Sequence, residues 1–121
     1  MPEPIKTYQD LIAWQRAFQL GKHVYKLAGE FPEFERFGLI ASLRRLAYGI
    51  ASHIAQGYGR GNLQDYVYFL TQARGELYQM DTQLLFARDF QYLSSETFDG
   101  VKRSLDECER VLAGLIRSLG G

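Results

Sequence analysis

The run YVYFLTQARGELYQMDTQLLFAR, from Tyr66 to Arg88, restricts the fold more than any other part of the chain. Tyr66, Leu70, Ala73, Leu77, Met80, Leu84 and Ala87 follow one another at alternating steps of four and three. At 3.6 residues per turn those steps put all of these side chains on one helical stripe, while Gln72, Glu76, Gln79 and Gln83 fall off it. The stripe is too short to demand an extended coiled coil and long enough for one helix of a bundle.

A chain of 121 residues is the size of one domain, able to bury roughly two-thirds of its extended surface. Fourteen Lys and Arg balance fourteen Asp and Glu, for a formal net charge of zero. Such a surface exerts no global pull on phosphate backbones or anionic lipid, so a nucleic-acid site has to be local. It also lacks the self-repulsion that opposes association. Cys108 is the single cysteine, which excludes an intrachain disulfide framework and multi-cysteine zinc or iron–sulfur patterns, and its place in the helical repeat reads as packing. No apolar run approaches the ~20 residues of a bilayer crossing. The opening MPEPIKTYQD has no apolar signal-peptide region. No membrane partner and a cytoplasmic location are therefore expected.

Pro2 and Pro4 make residues 1–6 an extended N-terminal arm, and a bundle domain is expected over 7–121. Thr7 and Asp10 have capping-box spacing, and a first helix is expected from about Tyr8 to Ala28. Leu11, Trp14, Phe18, Gly21 and Tyr25 form its main apolar stripe, widened by Ile12, Val24 and Leu27. Gly29 and Pro32 stop it. Leu39, Leu43, Leu46, Ile50 and Ile54 carry a second helix, with Ala47, Ala51 and Ala55 beside them. Gly49 in its middle costs about 1 kcal/mol against alanine, which points to close approach by another backbone or to a tolerated defect. The segment Gly57–Gly61 ends that helix, and Asn62 with Asp65 starts the third. Ser94 or Ser95 caps a fourth, whose stripe is Phe98, Val101, Leu105, Cys108, Leu112, Leu115 and Leu119. Four helices with short connections and no β pattern predict an all-α, antiparallel up-down-up-down four-helix bundle.

The stretches DLIAWQRAFQL, VYKLAGEFPEFERFGLIASLRRLAYGIASHIAQGYGR and DYVYFLTQARGELYQMDTQLLFARDFQYL occur in this order and are followed by a helical tail. Together they resemble the small four-helix-bundle family encoded in the intervening sequences of some bacterial 23S ribosomal RNA genes. The resemblance covers essentially the whole chain. It implies a homo-oligomer, a ring of five, and the gene location of some members suggests RNA as a partner. The most recognisable polar residues of the pattern are Arg44-Arg45 and the stretch 53–57. Typical members have Ser-Ile-Pro in place of Gly49-Ile50-Ala51, and Asn-Ile-Ala-Glu-Gly in place of His53-Ile54-Ala55-Gln56-Gly57.

Arg45, Gly49, Ser52 or His53, Gln56 and Arg60 share one side of the second helix by the three–four rule. Residues 36–64 hold Arg36, Arg44, Arg45 and Arg60 and no acidic residue. Arg44, Arg45, Ser52, His53, Gln56 and Arg60 are therefore candidates for a partner-binding or assembly face; the alternative is a solvated helix side. Residues 89–109 carry Asp89, Glu96, Asp99, Asp106, Glu107 and Glu109 against Lys102 and Arg103. This asymmetry suggests complementary steering between helices two and four, within a subunit or across a rotational interface. Open-surface salt bridges contribute only ~0–1 kcal/mol, so aromatic burial has to hold an assembly. Tyr58, Tyr68, Tyr78 and Phe86, beside the apolar stripes, are candidate interface residues.

His23 and His53 are the only histidines, and neither has the Glu-x-x-His spacing of di-iron bundles. No metal and no cofactor is expected. Arg16 and His23 share a face of the first helix, and their spacing resembles the Arg-x(4–6)-His motif of all-helical HEPN-type nucleases, although Ala17 replaces the polar residue that often follows that arginine. Gly57-x-Gly59-x-Gly61 follows a helix and lacks the strand that a phosphate loop requires. Three functions fit the residues. The first is a non-enzymatic homo-oligomeric binding or scaffold protein that holds RNA or a protein through helix two. The second is a metal-independent ribonuclease using Arg16 and His23, and the third is purely structural self-assembly.

Overall fold

The Thr7 hydroxyl accepts a hydrogen bond from the Gln9 N–H at 3.2 Å, and the Asp10 carboxylate accepts from the N–H groups of Lys6 and Thr7 at 2.8 and 3.0 Å. The expected capping box forms, but it closes a single 3-10 turn over Tyr8–Asp10. Leu11 then turns extended (φ −72°, ψ 126°), so the first α-helix starts at Ile12 rather than Tyr8. The computed structural model describes residues 4–121, and the part of the expected arm that includes Pro2 lies outside them. Its α-helices are α1 (Ile12–Ala28), α2 (Leu39–Tyr58), α3 (Leu63–Asp89) and α4 (Ser95–Ser118), with a second 3-10 turn at Glu33–Glu35. No strand occurs among the described residues.

α1 packs on α2, α2 on α3, α3 on α4 and α4 back on α1, and among the described residues the diagonal pairs do not meet. This is the up-down-up-down order. α3 starts where the Asn62 side chain accepts from the Asp65 N–H at 2.9 Å, and α4 where the Ser94 hydroxyl accepts from the Thr97 N–H at 3.1 Å. At the end of the bundle where α4 starts, one carboxylate ties two connections together. Glu35 accepts from the Leu39 N–H at 3.1 Å, satisfying an orphan donor of α2, and from the Tyr92 hydroxyl at 2.8 Å.

The α3 stripe buries Leu70, Ala73, Leu77, Met80, Leu84 and Ala87, with Tyr66 half-buried at its start. α4 buries Phe98, Val101, Leu105, Cys108 and Leu112 as expected, but Ile116 then replaces Leu115 and Leu119, which stay half-exposed. A seven-residue repeat drifts by ~20° per heptad on a straight helix, whereas Ile116 lies a whole number of turns beyond Phe98.

α1 departs further from its expected stripe. Its core line is Ala13, Ala17, Leu20, Val24 and Leu27, while Phe18 and Tyr25 are 42% and 37% exposed. The cause lies in α2. A Cβ on Gly21 would overlap the Ala47 carbonyl oxygen and stand 3.3 Å from its carbon. The two backbones touch there, so large rings cannot lie between the helices and line the outside of the seam instead.

Gly49 has a different neighbour from the one expected. A Cβ there would overlap the Glu76 carboxylate, so the glycine makes room for an acidic side chain and not for a backbone. Gly75 is the opposite case, with open space around the position of a Cβ. Gly75→Ala is expected to stabilise the protein by about 1 kcal/mol through helix propensity. Urea unfolding checks this, and a lowered midpoint would mean that the position is occupied in solution.

Candidate interaction surfaces on the second helix

Across the α2–α3 seam, His53 Nδ1 and Glu76 Oε1 lie 2.5 Å apart, with side chains 33% and 17% exposed. Phe69 stacks on the imidazole with ring centroids 6.1 Å apart, and the Arg60 guanidinium lies over the same phenyl ring at 5.6 Å. Arg60 also donates to Asp65 at 3.2 Å. Above this layer, Arg45, His53, Thr71, Gln72, Glu76 and Gln79 line an open polar cavity of about 350 Å³. Arg45 makes no ion pair among the described residues.

On the α1–α2 side, the displaced rings wall a trough of about 620 Å³ whose floor includes Gly21, Ala47, Ala51 and Ala55. Trp14 and Phe18 stack at 4.8 Å with planes 15° apart, and Tyr8 meets Trp14 edge-on at 5.3 Å. Lys22 covers Phe18 at 4.9 Å. Tyr25 and Tyr48 close the upper end at 5.5 Å, and Tyr48 is 62% exposed. Arg44 lies 4.2 Å from the Tyr25 ring and donates to the Tyr25 carbonyl at 3.2 Å, so it also binds the last turn of α1.

The helix-two candidates therefore divide between two seams. Arg44 and Ser52 belong to the α1 side, and Arg45 and His53 to the α3 side, because adjacent residues on a helix point about 100° apart. Ser52 donates to the Tyr48 carbonyl at 2.7 Å, Gln56 is exposed, and Arg60 sits in the last layer. The candidate interface aromatics do not form one patch. Tyr58 is half-buried against Tyr66, Tyr68 packs on Phe69, Tyr78 donates to Glu109 at 3.1 Å, and Phe86 joins Phe90 at the far end. The patch that does form, Trp14, Phe18, Tyr25 and Tyr48, contains three residues assigned by periodicity to the core stripe and one, Tyr48, that periodicity did not single out. The available signal was the competing line of Ala13 and Ala17 on α1.

The basic and acidic stretches do not pair with each other inside the chain, since α2 and α4 are diagonal. Glu107 binds Arg16 at 3.1 Å, Asp81 and Asp106 share Lys102 at 3.0 Å, and Asp89 binds Arg88 at 2.9 Å. Burial works against the Lys102 charge, but its two carboxylates outweigh that and hold the ammonium above the ordinary lysine range. Arg16 thus engages α4, and His23 is exposed on α1. Burial pushes the Cys108 thiol up to about 12, which keeps it protonated and unreactive at neutral pH. No group of three or more His, Cys, Asp or Glu able to hold a metal occurs among the described residues. No helix among them is long and apolar enough to cross a membrane.

Over residues 9–114 of 121 the chain matches the profile of the 23S rRNA-intervening sequence protein family. The chain belongs to this family. A comparison with curated proteins finds no match. Both seams fall within the matched stretch, apart from Tyr8 at the edge of the trough. In this member of the 23S rRNA-intervening sequence protein family, Gly49 and His53 both adjoin the Glu76 carboxylate.

Proposed function

We propose that the chain is a non-enzymatic scaffold that assembles with copies of itself through the aromatic trough between α1 and α2. One observation carries this reading: the partly buried Trp14 and the exposed Phe18, Tyr25 and Tyr48 line one trough, over a floor where two backbones touch. Rigid aromatic surface of this kind is typical of interface centres. The occupant is the α3–α4 flank of a second copy. That flank lies opposite the trough, because the helices run round the bundle in chain order. Contacts between two different faces generate rings or open filaments, in keeping with the ring that the family resemblance implies. Lys22 lines the trough and makes no ion pair among the described residues, so it is free to pair with an acidic side chain of the second copy such as Glu96 or Asp99 on α4, which are likewise unpaired. The α3 side of α2 is left open in such an assembly, and an RNA or protein partner would be held there.

Size exclusion with light scattering, with absorbance followed at 260 and 280 nm, tests this on natively purified protein. A mass of several chains is expected, and the double variant Trp14→Ser, Phe18→Ser should elute as a helical monomer. A monomeric native protein overturns assembly, and a variant that still assembles overturns the trough as its seat. Excess absorbance at 260 nm supports a nucleic-acid partner, whereas a protein-only spectrum supports self-assembly or protein recognition.

A further inference from the structure

Gly49 leaves α2 without a side chain where the Glu76 carboxylate enters, and Glu76 Oε2 rests against that gap while Oε1 meets His53 Nδ1. The carboxylate is thereby tucked between the imidazole and the α2 backbone, and only 17% of the Glu76 side chain remains exposed. One edge of the His53 ring is held by Glu76 and one face is covered by Phe69, which leaves Nε2 for an outside group. An imidazolium donates from both nitrogens, so it can satisfy Glu76 and an anion together. Arg45 lines the same cavity with a guanidinium that no carboxylate of the described residues engages. Gln72, Gln79 and Thr71 add neutral donors to its wall.

We propose that the α2–α3 cavity is a phosphate-binding site, with the Arg45 fork and the His53 Nε2–H as its principal donors. Arg45 supplies the bidentate geometry that tetrahedral phosphate oxygens accept. When both ring nitrogens carry a proton, His53 supplies a second donor whose orientation Glu76 sets from across the ring. The charged groups of the two helices that face His53 are Arg45, Glu76, and the mutually paired Arg60 and Asp65. With the imidazole protonated, its charge and that of Glu76 cancel, and Arg45 leaves the cavity net positive. The site is built within one chain, so it stands whether or not the chain assembles. Its phosphate could be free or part of a nucleic-acid strand, since the recognising chemistry is the same.

The test uses the full chain and two probes, inorganic phosphate and a single-stranded ten-nucleotide oligouridylate, with NMR of the His53 ring and fluorescence anisotropy as readouts. Phosphate is expected to perturb the His53 ring resonances. Arg45→Ala and His53→Gln should each weaken binding tenfold or more without lowering the unfolding temperature, and Arg45→Lys should fall between Arg45→Ala and the native protein. Glu76→Gln separates a built site from general attraction. Removing a negative charge strengthens non-specific binding of any anion, but here it releases the imidazole, so affinity should fall about fivefold. Tighter binding by Glu76→Gln overturns the proposal, as does the absence of a response to both probes or binding as tight as the native protein's by Arg45→Ala or His53→Gln. An oligonucleotide affinity more than tenfold above that of phosphate, lost in the same variants, assigns the site to a polynucleotide backbone; comparable affinities assign it to free phosphate.

Discussion

Gly21→Ala is expected to destabilise the protein by about 2 kcal/mol, which is the net of two opposed effects. Alanine gains about 1 kcal/mol over glycine in a helix, whereas forcing a methyl group into a closed contact costs about 3 kcal/mol. The overlap wins because the obstructing atom is the Ala47 carbonyl oxygen, part of the α2 backbone, which has no rotamer to escape into. α1 and α2 would have to move apart along their seam, loosening the floor of the trough as well. Urea unfolding of Gly21→Ala beside Gly75→Ala gives the measurement. The same substitution in two helices should shift the midpoint in opposite directions, and a Gly21→Ala midpoint at or above the native value would show that the α1–α2 contact yields without cost.

Leu77→Ala is expected to cost about 3 kcal/mol, within the range for truncating a buried leucine. Leu77 is 0% exposed and sits mid-stripe in α3, where α2 and α4 both pack, so the lost methyl groups leave a cavity that rigid helices cannot close. Phe86→Ala provides the contrast: that ring is 54% exposed, and its loss should change the stability of a single chain by less than ~0.5 kcal/mol. Equal shifts for the two variants would mean that Phe86 is buried in an assembly, which a protein-concentration dependence of the midpoint would confirm.

The division between these sites also shows what could be read from residues alone. α3 and α4 were legible because each has one apolar stripe whose members are large and unrivalled, so periodicity and burial agree from Leu70 to Ala87 and from Phe98 to Leu112. The bundle order followed, since four amphipathic helices with short connections have few other ways to bury their stripes. α1 offered two stripes. Periodicity cannot choose between Trp14, Phe18 and Tyr25 on one side and Ala13, Ala17, Leu20 and Val24 on the other, and hydrophobic size favours the aromatic line. The distance between helices reverses that choice, and the distance is set by Gly21 meeting Ala47, a contact between residues far apart in the chain.

The candidate site follows the same logic. The residue types on helix two, including Arg45, His53 and Gly49, were visible as a polar strip before any packing was known. Their separation into an α1 side and an α3 side was not, because it depends on which neighbour each 100° step of the helix faces. The partner of His53 lies outside any local pattern, since Glu76 belongs to the next helix and had been read only as a polar position off the α3 stripe. Local order along the chain determined the helices, their caps and the family pattern. Tertiary contact alone decided which aromatics stayed outside and which carboxylate met the histidine, because both depend on the approach of two backbones that no single helix encodes.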